Sequence, residues 1–458
     1  MRIESQQVAR VANASGTSAL SSRSPLLRVL GPPPNSLELS LICWGLFFAL
    51  LVLPAGVAVE HRIARGQLAR TFAEVDFVYF YGFGRIFDKY PAAEVYDYNL
   101  QERILTEVHP LDGRRYGPVA YAPFLGVFFR PFSRIPFFEA YLLWLAITFS
   151  FYMAGIALLT ARFLPLDPLP RSLVFCFALC FYPFIGWTLL NGDISIIGFF
   201  AVALAFREED LERPFRSGLA LSICCYKPTL LVLLLPMLVV TRRFRTLLGF
   251  AAGGSLLALF ATVVEGVHVW PGYFRALLNF GKGAGGLDSH PFKEPWKYVD
   301  FDSFASLFPG GGTALGRIVL VSCALWAAFS LIRFWRRSTG ARKPASTLVW
   351  ATTVTWTLVL NVYVPIYDSM LFIIGAIATA GVLKAVSERH YRWFTVLWIL
   401  TLGSSWITVT VAEASRVQII TFMFTALGAL QLAAARQTFG PERPSLFTGS
   451  KLAPDVAG

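Results

Sequence analysis

The sequence predicts an all-α fold, a polytopic membrane bundle of about twelve transmembrane helices with a long polar loop after the first. Three observations carry this. Of 458 residues, 55% are apolar and only 15% charged, where a soluble protein has about 25% charged residues. Apolar runs of about 20 residues, enough to cross a bilayer core, recur along the whole length. The runs are continuously apolar rather than alternating, which favours helices over a barrel.

Residues 1–36 are polar, Ser-rich and Arg-bearing, and end in Gly31-Pro32-Pro33-Pro34. Their composition would suit a transit peptide, but a disordered cytoplasmic tail is the plainer reading. The first span, 38–59, exceeds the apolar region of a signal peptide, which runs about 7–15 residues. A mostly polar insertion follows over 60–135. Further spans fall near 136–161, 170–189, 191–206, 215–226, 228–241, 244–265, 312–334, 345–363, 366–385, 391–411 and 416–436. One integral-membrane domain thus covers 37–437, and a second disordered tail covers 438–458.

The charge of +12 is not a nucleic-acid signal. Arg162 and Arg171, Arg207, Arg213 and Arg216, Arg242, Arg243 and Arg245, and Arg333 to Lys343 lie in short loops, as the positive-inside rule requires. They share one side if 118–131 is a surface or re-entrant helix and 215–241 is a hairpin folding at Lys227-Pro228, where proline favours a break. Both termini are then cytoplasmic, and the loops 60–135 and 266–311 are on the far side. Irregular backbone concentrates there, so the work of the protein is expected there too. The six cysteines all sit in apolar segments without metal-site spacing and read as small core residues.

The candidate chemistry lies in the far-side loops. Asp76 stands in Glu74-Val75-Asp76-Phe77-Val78-Tyr79, just beyond the first span. Tyr79, Tyr81, Tyr90-Pro91, Tyr96-Asp97 and Arg114-Arg115-Tyr116-Gly117-Pro118 follow. Aromatic rings at this depth commonly anchor a chain at the interface, and a lone loop carboxylate is commonly just solvated. Lys227 is a charge between two apolar arms, hence a functional candidate, unless it snorkels to the interface. Arg115 is a second possible phosphate contact, or a solvated loop residue. Asp368, Asn191 and Asp193 read equally as ligand contacts or helix caps. His268, beside Trp270-Pro271-Gly272-Tyr273, reads as packing or as a substrate contact. The glycine-rich stretches 281–286 and 310–312 follow no strand, so they are not dinucleotide motifs, and read as flexible loop or lid. The histidines and cysteines form no metal cluster; a divalent ion on carboxylates stays open, and no cofactor is expected.

In their order these motifs resemble the glycosyltransferase family 87 enzymes, polyprenol-phosphate-mannose-dependent α-mannosyltransferases of the GT-C fold. The resemblance covers roughly 38–436. Asp76-Phe77 with Tyr79 stands where the family has an Asp followed by aromatics. Tyr96-Asp97 matches a Tyr-Asp pair, and Tyr116-Gly117-Pro118 a Tyr-Pro-Pro turn. Asn191-Gly192-Asp193 stands at a Gly-Gln pair, Lys227-Pro228 at a Lys-Pro, and Tyr367-Asp368 at a Tyr-Asp. Gly117 and Asp193 depart from the pattern.

The resemblance implies a GT-C-like bundle in a bacterial inner membrane with an extracytoplasmic active site. It implies transfer of mannose, with inversion, from a polyprenyl-phosphate sugar donor to a lipid or glycan acceptor. In that scheme Asp76 is the general base. Lys227 and Arg115 bind the donor phosphate, and Tyr79, Tyr116, Asn191, Asp193, His268 and Asp368 line the substrate. A transporter, a non-catalytic lipid-handling protein and a ligase using a diphosphate-linked glycan are the alternatives. A transporter would place paired charges in mid-span, and no internal repeat of broken helices is seen.

Overall fold

The computed structural model describes residues 75–110, 116–164, 171–281, 294–307, 313–339, 343–361 and 363–438. The expected first span, Arg115, the tail 1–36, most of the tail 438–458 and most of the glycine-rich stretches lie outside the described residues. Within them the protein is helical, with one isolated bridge between Tyr298 and Pro365.

The expected polar loop is in large part folded and buried. Helices α1 (Phe77–Lys89), α2 (Tyr98–Val108) and α3 (Pro123–Ser133) form a layer against α4 (Phe137–Phe163). Phe77, Phe80, Phe83 and Phe87 recur at helical spacing and are buried. Phe80 stacks on Phe129 with ring centroids 5.3 Å apart, and Phe129 meets Trp144 of α4 at 4.9 Å. Gly84 lets the α3 backbone at Phe129 approach closely. Such aromatic packing contributes about 0.5–1.5 kcal/mol per pair beyond burial.

Beyond α4, α5 (Arg171–Leu179) gives way to a π-helical turn at Pro183–Leu189. Helices α6 (Ser195–Asp210) and α7 (Pro214–Ser222) follow. The chain then passes through two 3₁₀ turns, Ile223–Tyr226 and Pro228–Leu231, into the short α8 (Leu234–Val240). The break falls at Lys227, because Pro228 has no N–H to continue a helix. Helices α9 (Phe244–Glu265), α10 (Val269–Gly281), α11 (Phe301–Leu307), α12 (Ala314–Arg337) and α13 (Lys343–Val359) come next. A 3₁₀ turn, Ile366–Met370, opens α14 (Leu371–Val386), and α15 (Glu388–Ser415) and α16 (Ile419–Thr438) complete the order. Helix α14 is apolar all round and forms the centre, packed by α4, α13 and α15. Helices α9 and α12 turn most of their apolar residues outward.

Among the described residues, five helical segments are long and apolar enough to cross a membrane: Phe137–Phe163, Phe244–Glu265, Ala314–Arg337, Ile366–Lys384 and Glu388–Ser415. The span expected at 170–189 is instead broken, with Pro183 opening a π-helical turn, while 215–226 and 228–241 are the two short arms expected, broken at Lys227-Pro228.

The basic loops at Arg162, Arg207–Arg213 and Arg243 meet at one end of the bundle. Arg162 pairs with Asp210 and Arg243 with Glu209, while Arg243 Nη2 donates to Ser346 Oγ at 2.7 Å. Asp193 lies at the other end of α6.

Helices α7 and α9 pack backbone to backbone. A Cβ on Gly218 would fall on the Thr246 carbonyl, and one on Gly249 on the Phe215 carbonyl. Neither obstacle is a side chain that can rotate away. Gly218→Ala and Gly249→Ala are each expected to destabilise by at least about 1–3 kcal/mol, the usual range for overpacking. A normal yield and unchanged melting temperature in detergent would show that the helices have room to part.

Candidate functional site

The site is built where the α1 layer meets the π-helical turn. Phe77 N donates to the Asn191 carbonyl at 3.0 Å, so Asp76 is set beside the turn 191–193. Gly192 has φ +65°, a conformation that side chains rarely adopt, and a Cβ there would lie 2.8 Å from Phe77 Cβ. Trp144 Nε1 donates to the Gly192 carbonyl at 2.8 Å, and Tyr141 OH donates to that of Leu190. Asp193 lies one residue before the N-cap of α6, Ile194, and its Oδ1 accepts from Ser195 N at 2.6 Å, a local turn bond at the start of the helix.

A second wall comes from 116–121, held by one buried amide. Gln101 Nε2 donates to the Val95 and Val119 carbonyls, each at 3.1 Å, and Oε1 accepts from Val119 N at 2.8 Å. This satisfies irregular backbone that would otherwise be stranded in the interior. Gly117 N donates to Tyr79 OH at 3.3 Å, which fixes that phenol.

The third wall is the Lys227 break facing the start of α14. Lys227 Nζ lies 2.6 Å from Asp368 Oδ2, and its side chain is 12% exposed against 1% for the aspartate. Asp368 Oδ1 accepts from Ser195 Oγ at 2.7 Å. The ammonium also sits 4.5 Å from the centre of the Tyr367 ring, within reach of a cation–π attraction.

These walls enclose a cavity of about 450 Å³. Asp76, Tyr79, Gly117, Asp193 and Lys227 line it, with Tyr121, Tyr226, Tyr363 and Tyr367. Asp76 precedes α1 and makes no capping hydrogen bond. Burial, then the charge of Asp193, pushes its carboxyl up to about 8, against the opposing pull of Lys227 and Lys297.

Four of the candidate site residues thus share one cavity: Asp76, Tyr79, Asp193 and Lys227. Asp368 stands behind Lys227 as its ion-pair partner rather than on the cavity wall. Tyr116 is buried and donates its hydroxyl to the His109 carbonyl at 2.6 Å. Asn191 contributes its carbonyl to Phe77, and His268 is exposed between α9 and α10. None of these three lines the cavity. Arg115 lies outside the described residues. Tyr121, Tyr226 and Tyr363 were not singled out from sequence; the signal available was adjacency, since Tyr226 precedes Lys227 as Tyr367 precedes Asp368.

No curated protein and no solved structure matches the chain. Residues 120–361, more than half its length, match the model of "Glycosyltransferase family 87". The match takes in Asp193 and Lys227, while Asp76 and Asp368 lie outside it. By this match, and in keeping with its apolar helices, the chain belongs to glycosyltransferase family 87, and so to the membrane glycosyltransferases.

Proposed function

We propose that the protein moves a sugar from a polyprenyl-phosphate donor to an acceptor hydroxyl, inverting the anomeric carbon, in the cavity between Asp76 and Lys227. Mannose is the sugar that the family resemblance implies. The same resemblance implies an extracytoplasmic active site, and the distribution of arginines and lysines implies that both termini are cytoplasmic. The observation that carries the reading is one carboxylate without a capping bond and one lysine on the walls of the same cavity.

In this reaction the acceptor O–H gives its proton to Asp76 as the oxygen attacks the anomeric carbon. The bond from that carbon to the phosphate oxygen breaks, and its electron pair leaves with the polyprenyl phosphate. Lys227 stabilises the charge that develops there. One carboxylate suffices, because phosphate is already a good leaving group, unlike the sugar oxygen in hydrolysis by a carboxylate pair. The Lys227–Asp368 pair sits at a helix break and a helix start rather than in mid-span. The family match supports an enzyme over a transporter.

The test is transfer of labelled mannose from polyprenyl-phosphate-mannose in membranes with and without the protein, endogenous acceptors present. A product that depends on expression is expected. If mannose fails, other polyprenyl-phosphate sugars follow, and failure of the whole panel rejects the reading.

A pH dependence follows from the raised carboxyl. A base must be ionised before it can take a proton, and burial beside Asp193 makes Asp76 hold its own until about pH 8. Acceptor kcat/KM, which reports the free enzyme, is therefore expected to rise about tenfold per pH unit below that point and then level off. A profile flat from pH 6 to 8 would remove Asp76 from the role of base.

A further inference from the structure

Among the described residues, the cavity is lined by more carboxyl groups than cations. Asp76 and Asp193 line it, and Asp368 lies directly behind Lys227. Among the described residues that line it Lys227 is the only cation, and it is already paired with Asp368 at 2.6 Å. Lys297 acts on Asp76 from farther off and is itself paired with Glu294. A phosphate donor would add another negative charge. With like charges confined in a buried space, one group must take up a proton. If that group is Asp76, it can no longer act as a base.

The walls indicate what would balance the charge. Tyr79, Tyr121, Tyr226, Tyr363 and Tyr367 surround the two carboxylates. The faces of such rings attract cations, as the Lys227 ammonium over Tyr367 already illustrates. Asp193 is 2% exposed, and its bond from Ser195 N satisfies one oxygen without neutralising the group. Asp76 and Asp193 are held together by the Phe77–Asn191 bond. A ligand with a hydroxyl at one carboxylate could therefore present a cation to the other. No group of three or more His, Cys, Asp or Glu among the described residues is placed to hold a metal ion, so the geometry favours an organic cation.

We propose, on the basis of the glycosyl-transfer reading above, that the acceptor is an amino alcohol. Its attacking hydroxyl faces Asp76, and a protonated amine on a neighbouring carbon sits between Asp193 and the tyrosine rings. The amine is not consumed. Its positive charge favours the ionised form of Asp76, so the base becomes competent when the correct acceptor arrives. Asp193, one of the two departures from the family pattern, is the residue that distinguishes this acceptor from a neutral one.

The test uses the full chain in detergent with glucosamine, N-acetylglucosamine and glucose as probes and thermal stability as the readout. Glucosamine is expected to stabilise at concentrations at least tenfold lower than either neutral sugar. Asp193→Asn keeps an oxygen for Ser195 N, so it should fold, as its melting temperature without sugar will show, and it should lose the preference. If Asp193→Asn does not fold, loss of the preference at pH values that deprotonate the amine serves in its place. Equal responses to the three sugars, including no response, overturn the proposal. So does stabilisation by magnesium or manganese chloride without any preference for the amine. Polyprenyl-phosphate-mannose separates the two places an amine could bind. Glucosamine binding that persists with this donor present marks the acceptor position, whereas competition with it places the amine on the donor sugar and overturns the acceptor assignment. The base reading fails separately, by undiminished transfer in Asp76→Ala, whatever the sugar preference.

Discussion

Replacing Asp76 by alanine or asparagine is expected to lower glycosyl transfer by about 10²–10⁴-fold, the usual contribution of a general base. The chain should remain folded. Phe77 N donates its bond to Asn191 through the backbone, and Asp76 makes no capping bond with its side chain. Removing the carboxyl therefore removes chemistry without removing a tether. Stability should move in the opposite direction from activity as pH rises. The carboxyl ionises near 3.8 in the unfolded chain but is pushed up to about 8 in the fold. Between those values the folded state binds more protons than the unfolded one, so wild-type stability falls as pH rises through that window. Asp76→Asn abolishes this slope and should be at least as stable as wild type at pH 8. Measurement of labelled product and of melting temperature against pH on the same preparations decides the matter. A variant that transfers normally removes the base assignment. One that loses transfer only because it unfolds leaves the pH profile of the wild type to decide.

The parts of this arrangement that were legible in sequence are those governed by local rules. Continuous apolar runs located Phe137–Phe163 and Phe244–Glu265 almost to the residue, because nothing within them competes with the helix. Pro228 marked the break that sets Lys227 on the cavity wall. The 60–135 stretch was harder to read. Apart from the helix expected at 118–131, its polar residues suggested a loop, but Phe77 and Phe80 find Phe129, Phe83 and Phe87 find Tyr96, and this aromatic packing holds 77–89 as a helix against 123–133. The pairing of Asp368 with Lys227 was also hidden. A Tyr-Asp before an apolar run has the appearance of a cap, and the cation that claims the carboxylate is far away in the chain. Nor could spacing place Asp193 beside Asp76, since one backbone bond from Phe77 to Asn191 brings them together. Arg115, named from sequence, lies outside the described residues.

Lys227→Met is expected to be more damaging to the fold than Asp76→Ala, for the opposite reason. Asp368 is 1% exposed and faces Lys227 Nζ at 2.6 Å. Methionine fills most of the same space but leaves a buried carboxylate that still accepts from Ser195 Oγ yet faces no cation at that position. Breaking a buried pair from one side costs about 3–5 kcal/mol, because the surviving charge stays desolvated. Both stability and transfer should fall in the single variant, so the single variant cannot separate the two roles of the lysine. The double variant Lys227→Met with Asp368→Asn does so. Asparagine keeps an oxygen for Ser195 and removes the orphaned charge, so most of the lost stability should return. Transfer should not return, because no cation then faces the departing phosphate. Recovery of transfer together with stability would show that Lys227 serves only to hold Asp368 in place, and the phosphate contact would have to be sought elsewhere on the cavity wall.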